Sequence, residues 1–311
     1  MNLVLVLIGV GLLYLGGEGL VRGATSAGRR LGLQPMVVGL TIVSVGTSSP
    51  ELAATLTGVV QGAPALAFGN VVGSNISNLS LVLGITVLIG PLAVAARFIR
   101  RDAPFMIAIS TLLYWLVSDG QVSRLEGLVL LAILVVYLWR LLRSRPETPQ
   151  VKAEFEEISD RSMLSPWVSV LAIAAGIGLL VVGAQVLIKG AVALAQSIGI
   201  SERVIGLTVV ALGTSLPELA SSIVAAAHRE GDVVLGNLIG SNLFNILFIL
   251  GTTSLVQPVL VETAAVWTDI HVMVGISVLA WIFLRTRSYI GRAEGLALLL
   301  LYLGYVYYLF T

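Results

Sequence analysis

The sequence predicts an all-α integral membrane protein: ten transmembrane helices in two inverted-topology five-helix repeats, with helices 2 and 7 broken. Three observations lead there. The 311 residues are 57% hydrophobic and only 11% charged, with a mean hydropathy of +0.99, too little charge for a soluble domain of this length. Apolar runs of about 20 residues, the length needed to cross a bilayer, recur along the chain. Finally, a pair of polar segments inside those runs is repeated at a fixed spacing.

Charge, glycine and proline divide the apolar sequence into spans at residues 2–27, 35–61, 65–90, 103–119 and 124–142, and again at 167–194, 202–228, 233–257, 266–284 and 291–310. The first run, MNLVLVLIGVGLLYLGGEGL, has no basic n-region and no small-residue cleavage site, and reads as a retained helix. Between the two sets lies a polar stretch containing Arg145, Lys152, Glu154, Glu156, Glu157 and Asp160. The domain reading is a first repeat at 1–142, a linker at 143–165 and a second repeat at 166–311. The acidic run Glu154 to Asp160 lacks EF-hand spacing and reads as a solvated face.

Basic residues set the orientation. With the N-terminus outside, the inner loops carry Arg22, Arg29, Arg30, Arg97, Arg100, Arg101, Arg140, Arg143, Arg145, Lys152, Arg161, Arg229, Arg285, Arg287 and Arg292; of the 18 basic residues only Arg124, Lys189 and Arg203 fall opposite. Both termini are thus expected outside and the linker in the cytoplasm. The net charge of +1 gives no basic surface for nucleic acid, and with no cysteine there is neither a disulfide nor a thiolate metal site.

Residues 39–55, GLTIVSVGTSSPELAAT, align with 206–222, GLTVVALGTSLPELASS; GNVVGSNISN (69–78) aligns with GNLIGSNLFN (236–245) at the same spacing, as do Pro91 with Pro258 and Asp102 with Asp269. Five spans per half is an odd number, so the second copy enters the membrane from the other side. Inverted repeats of this kind place a binding site at their interface, near mid-depth.

The repeated segments contain what lipid tolerates least. Pro50 removes the helical hydrogen bond to the Gly46 carbonyl, and Glu51 is a carboxylate inside an apolar run, costing about 2.5–3.5 kcal/mol if it faced lipid. Gly213, Thr214, Ser215, Pro217 and Glu218 repeat Gly46, Thr47, Ser48, Pro50 and Glu51. Irregular backbone survives at this depth only where it is buried in protein or lines a watery cavity. Ser74 with Asn78, and Ser241 with Asn245, each share a helix face four residues apart. The donor set is all oxygen, which suits hard cations such as calcium, sodium and magnesium; His228 and His271 lie outside it. Two carboxylates balance one calcium or two sodium ions, so both ions can compete for one site. Without a nucleophile–histidine pair, an intramembrane hydrolase is disfavoured.

Paired GTSxPE segments, each followed by GNxxGSNxxN, resemble the α-repeats of the cation/calcium exchanger superfamily, and prokaryotic sodium/calcium exchangers in particular. The resemblance covers nearly the whole chain. It implies a secondary active transporter rather than an enzyme, with no cofactor, that moves sodium inward and calcium outward across the cell membrane by alternating access, usually electrogenically. Carried over by position, it makes Glu51 and Glu218 the central metal ligands. Thr47, Ser48, Ser74, Thr214, Ser215 and Ser241 would add flanking oxygens, Ser44 and Ala211 backbone carbonyls, and Asn78 and Asn245 would complete the centre. Potassium-dependent relatives have aspartate where Asn245 stands, so no potassium requirement is expected. A proton-coupled divalent-cation exchanger is the alternative.

Five further residue sets read as structural. Glu18 pairs with Arg22 one turn on; Asp102 and Asp269 cap helix N-termini; Asn75 and Asn242 support packing; His228 and His271 sit at interfaces; and the glycine-rich helices 1 and 6 slide or rock against the core.

Overall fold

The computed structural model describes residues 2–61, 64–143, 163–197, 213–261, 263–287 and 289–310. The linker's acidic run, Arg203 and Ala211 lie outside these residues.

Apolar composition makes almost every described segment helical. Helix α1 spans Asn2–Arg30. α2 (Pro35–Thr47) and α3 (Ser49–Val60) follow, bent by 44° at their junction. α4 runs Pro64–Ser77, passes through a π-helical turn at Asn78–Val82 and ends as Leu83–Ile89. α5 (Ala103–Leu116) is preceded by a π turn at Phe98–Asp102. α6 (Arg124–Leu142) starts on a capping box, in which Ser123 and Glu126 satisfy each other's backbone N–H groups. The second half holds α7 (Pro166–Ser197), α8 (Leu216–Ala227), α9 (Gly231–Val256), α10 (Thr263–Arg287) and α11 (Arg292–Phe310). Among the described residues six helices are long and apolar enough to cross a membrane, or seven when α2 and α3 count as one bent span.

Burial sorts the helices into core and wall. In its most apolar stretch α9 is 94% buried and α4 72%, whereas α6 and α7 are 22%. The polar-motif helices α4 and α9 therefore sit at the centre, and α1, α6 and α7 turn apolar side chains outward.

Four two-residue strands, absent from the sequence expectation, join the halves. β1 (Leu92–Ala93) pairs antiparallel with β4 (Tyr289–Ile290), and β2 (Gln121–Val122) with β3 (Val259–Leu260). β1 and β3 occupy matching places in the repeat, as do β2 and β4, so each strand pairs with the counterpart of its neighbour.

α1 and α7 lie against each other along their lengths, on a glycine stripe of period seven: Gly9, Gly16 and Gly23 meet α7, while Gly176, Gly183 and Gly190 meet α1. A Cβ on Gly16 would fall 2.7 Å from the Leu180 backbone nitrogen, and one on Gly176 2.5 Å from that of Leu20. Only a missing side chain permits so close an approach.

Candidate ion-binding site

The site begins at two matching breaks. Ser48 (φ −83°, ψ 4°) ends α2, and Ser215 (φ −85°, ψ 2°) precedes α8; each is followed by a helix with proline in its first turn. The missing proline N–H costs nothing where the helix is already interrupted, so the chain turns and presents Glu51 and Glu218 in the first turns of α3 and α8. Both are buried, at 1% and 0% exposure. They come from opposite halves, and Ser48, three residues before Glu51, reaches across to the Glu218 carboxyl.

Oxygen donors from both halves surround them. The Ser48 hydroxyl donates to Glu218 Oε1 at 3.0 Å, and the Ser241 hydroxyl lies 3.5 Å from the same oxygen. Thr47 Oγ1 stands 3.4 Å from the Ser44 carbonyl and 3.2 Å from Asn237 Oδ1. Ser44, Ser74, Asn78, Ser215 and Asn245 are buried, and Thr214 is half-buried on the turn.

Asn78 and Asn245 each open a π turn, a device that concentrates at functional sites. Between the two halves, Asn75 Nδ2 donates to the Asn242 carbonyl (3.2 Å), Asn245 Nδ2 to Asn75 Oδ1 (3.0 Å), and Asn78 Nδ2 to Asn242 Oδ1 (3.5 Å). Among the described residues, Asn78 Oδ1 and Asn245 Oδ1 have no hydrogen-bond partner. Neither do Ser215 Oγ, Glu218 Oε2 or either carboxyl oxygen of Glu51. Buried polar atoms are nearly always paired. A cluster of unpaired acceptors, three of them carboxyl oxygens, is the kind of surrounding that suits a hard cation.

A family model of sodium/calcium exchanger proteins matches residues 1–143 and 168–311. The chain belongs to the sodium/calcium exchanger family. Sodium and calcium are the ions this family exchanges. The chain is 30% identical to the sodium/calcium exchanger MaX1 of Methanosarcina acetivorans, over 99% of this chain and 98% of the relative. It is 38% identical to the putative antiporter CaxA of Alkalimonas amylolytica, again over 99% and 98%. Among solved structures, the sodium-calcium exchanger NCX_Mj soaked without sodium and calcium superposes with a TM-score of 0.83 at 31% identity, covering 99% of this chain and 98% of that one.

The structure also engages two asparagines that sequence reasoning left aside. Asn237 donates to Ser221 (3.2 Å) and Ser222 (3.3 Å) while its oxygen meets Thr47; its counterpart Asn70 donates to Thr55 at 2.9 Å and lies 3.4 Å from the Glu51 carbonyl. Both asparagines were visible in the repeated GN dipeptides. They brace α3 and α8 against α4 and α9.

Two structural readings change. Glu18 does pair with Arg22, and it also lies 2.8 Å from His228 Nε2, so His228 links α1 to the end of α8. Asp102 and Asp269 are not helix caps. Asp102 makes no capping bond; it lies 3.4 Å from Arg97 and accepts from Tyr137 (3.3 Å), while Asp269 accepts from Tyr305 (2.9 Å). Burial makes a phenol or guanidinium partner worth more to these carboxyls than exposed amides at a helix start.

Proposed function

We propose that this chain is a sodium/calcium antiporter that brings sodium in and moves calcium out by alternating access, with Glu51 and Glu218 as the shared central ligands. One observation carries the reading: two buried carboxyls from opposite halves, bridged by Ser48, carry unpaired oxygens among buried hydroxyl and amide oxygens. The ligands around them are Thr47, Ser48, Ser74, Asn78, Thr214, Ser215, Ser241 and Asn245, with the backbone carbonyls of Ser44 and Ala211. Calcium, or two sodium ions, neutralises the pair. Any further sodium is held by neutral oxygens and carries net charge, so the exchange is electrogenic. Asn78 and Asn245 add oxygens but no third carboxylate, in keeping with potassium-independent exchange.

The ten-span, inverted-repeat layout, with both termini outside the cell membrane and the linker in the cytoplasm, agrees with the distribution of arginine and with strands that pair across matching positions. The glycine stripe suits α1 and α7 to slide as a unit across the core. With no ion bound, two uncompensated carboxyls resist occlusion in an apolar interior, which couples the two fluxes.

The test is radiolabelled calcium uptake into proteoliposomes. Vesicles loaded with sodium should accumulate calcium at least tenfold faster than vesicles loaded with potassium or choline, and a positive-inside potential set by valinomycin should alter the rate. Uptake that ignores sodium and follows a pH gradient refutes the sodium coupling.

A further inference from the structure

The molecule contains two lateral grooves at matching places in the repeat. One, of about 870 Å³, lies between α5 and α6, with apolar walls that include Phe105, Ile133, Val136 and Trp139. The other, of about 740 Å³, lies between α10 and α11 and includes Val272, Leu301, Gly304 and Tyr305. Phe105 corresponds to Val272, Ile133 to Leu301, Val136 to Gly304, and Tyr137 to Tyr305. The same backbone architecture thus builds both hollows.

Their ends differ completely in charge. The first groove is lined at one end by Arg97, Arg101, Arg140 and Arg143. The corresponding positions in the second half are Ala264, Thr268, Tyr308 and Thr311. The arginines converge because α5 begins where its antiparallel neighbour α6 ends. Arg97 is buried and held by Asp102 at 3.4 Å, and Arg143 stacks over Trp139 with 4.5 Å from its guanidinium carbon to the ring centroid. Arg101, Arg140 and Arg143 are exposed at the mouth. From Arg140 back to Val129 the lining of α6 extends eleven residues, about 16 Å at the helical rise, which is close to half of a hydrocarbon core of about 30 Å, or one leaflet.

We propose that the groove between α5 and α6 is a binding site for an anionic phospholipid, with the phosphate on Arg101 and Arg143 and an acyl chain along Phe105, Ile133 and Val136. Charge complementarity chooses this occupant. Guanidinium forks match phosphate oxygens, an apolar slot one leaflet deep matches a chain rather than a free anion, and α6 beside it exposes the apolar side chains of Leu128, Val135 and Leu142. Basic pockets between transmembrane helices are suited to such headgroups. The arginine-free groove in the other half is a control within the same molecule. The assignment does not depend on the transport reading above.

The test uses the full chain, delipidated in detergent and titrated with dioleoyl phosphatidylglycerol, dioleoyl phosphatidylcholine or inorganic phosphate, with retained lipid counted by native mass spectrometry and stability read by thermal unfolding. One tightly retained phosphatidylglycerol per chain is expected, bound at least tenfold more tightly than phosphatidylcholine, together with a rise in melting temperature. Arg101→Gln combined with Arg143→Gln should remove the preference, and Val136→Trp, which fills the slot while sparing every arginine, should remove the binding. Equal retention of the two lipids, an equal effect of inorganic phosphate, or binding only after deletion of residues 147–160, which would mean that the chain's own acidic linker fills the groove, each overturns the proposal. So does preserved selectivity in both variants.

Discussion

Ser48 and Ser215 hold the same place in the repeat and nearly the same backbone angles, yet they do different things. The Ser48 hydroxyl donates across the interface to Glu218, whereas the Ser215 hydroxyl has no hydrogen-bond partner among the described residues. The carboxyls differ in step. Glu218 Oε1 is approached by Ser48 and Ser241, while the Glu51 carboxyl oxygens have no hydrogen-bond partner among the described residues. Sequence symmetry therefore does not enforce conformational symmetry. On the alternating-access reading proposed above, the opposite-facing state should have Ser215 donating to Glu51, leaving Ser48 unpaired.

Neutralising the acids breaks the comparison most severely. Glu51→Gln and Glu218→Gln should each lower sodium-driven calcium uptake at least 100-fold, because either leaves a single carboxylate for a divalent ion. Their effects on the ion-free protein should diverge. Glu51→Gln removes an unsolvated, unpaired acid and should raise the melting temperature in chelator; Glu218→Gln loses accepted hydroxyl bonds and should raise it less. Matching thermal shifts would mean that the asymmetry at the two acids is not energetic.

The glycine stripe is second in size. Gly16→Ala and Gly176→Ala each place a methyl within 2.7 Å of opposing backbone, where overpacking costs about 1–3 kcal/mol. Gly11 and Gly178, also matched in the repeat, have open space where a Cβ would go. There alanine should be neutral, or stabilising by about 0.5–1 kcal/mol as a better helix former. Thermal unfolding of the four variants, with exchange rates alongside, separates contact at the α1–α7 seam from helix propensity in general.

How much of this was legible follows from what each feature needs in order to show itself in a linear sequence. The carboxyl segments were plain, because Glu51 and Pro50 in an apolar run have no bland use and the second half repeats them. Burial of α4 and α9 followed from the same polar content. The π turns at Asn78 and Asn245 leave no periodic mark, since a single widened turn barely perturbs the 3.6 pattern. Two-residue strands are shorter than any alternation that could announce them. Asn70 and Asn237 were in view but attract notice only once Thr55 and Ser222 are seen opposite. Asp102 and Asp269 were misread as caps because position near a span start is a local signal, while their tyrosine partners lie a whole helix away.

Ser48→Ala against Ser215→Ala sharpens the central contrast directly. A hydrogen bond to a charged group contributes about 1.5–3 kcal/mol, so Ser48→Ala should destabilise the calcium-free protein by about 1.5 kcal/mol, whereas Ser215→Ala should change it by less than about 0.5 kcal/mol. Both should weaken calcium binding, since both hydroxyls belong to the proposed ligand set. Chemical or thermal denaturation in chelator gives the first comparison and calcium titration the second. Equal destabilisation would indicate that both hydroxyls are engaged to the same extent in the resting protein.

The smallest expected difference lies at the rim, in the two tyrosine–aspartate pairs. Tyr305 donates to Asp269 at 2.9 Å; Tyr137 lies at a longer 3.3 Å from Asp102, which also faces the Arg97 guanidinium. Removing a hydroxyl matters most where the acceptor has nothing else to turn to. Tyr305→Phe should therefore cost about 1 kcal/mol and Tyr137→Phe about half of that, with exchange activity unchanged in both because neither pair touches the ion site. Adding Arg97→Gln to Tyr137→Phe removes the compensating cation, and the combined loss should exceed the sum of the two single losses, since each single variant leaves Asp102 one partner and the double leaves none. Simple additivity in that cycle would show that Arg97 and Tyr137 act on Asp102 independently, and the contrast between the two halves would then come from hydrogen-bond length alone.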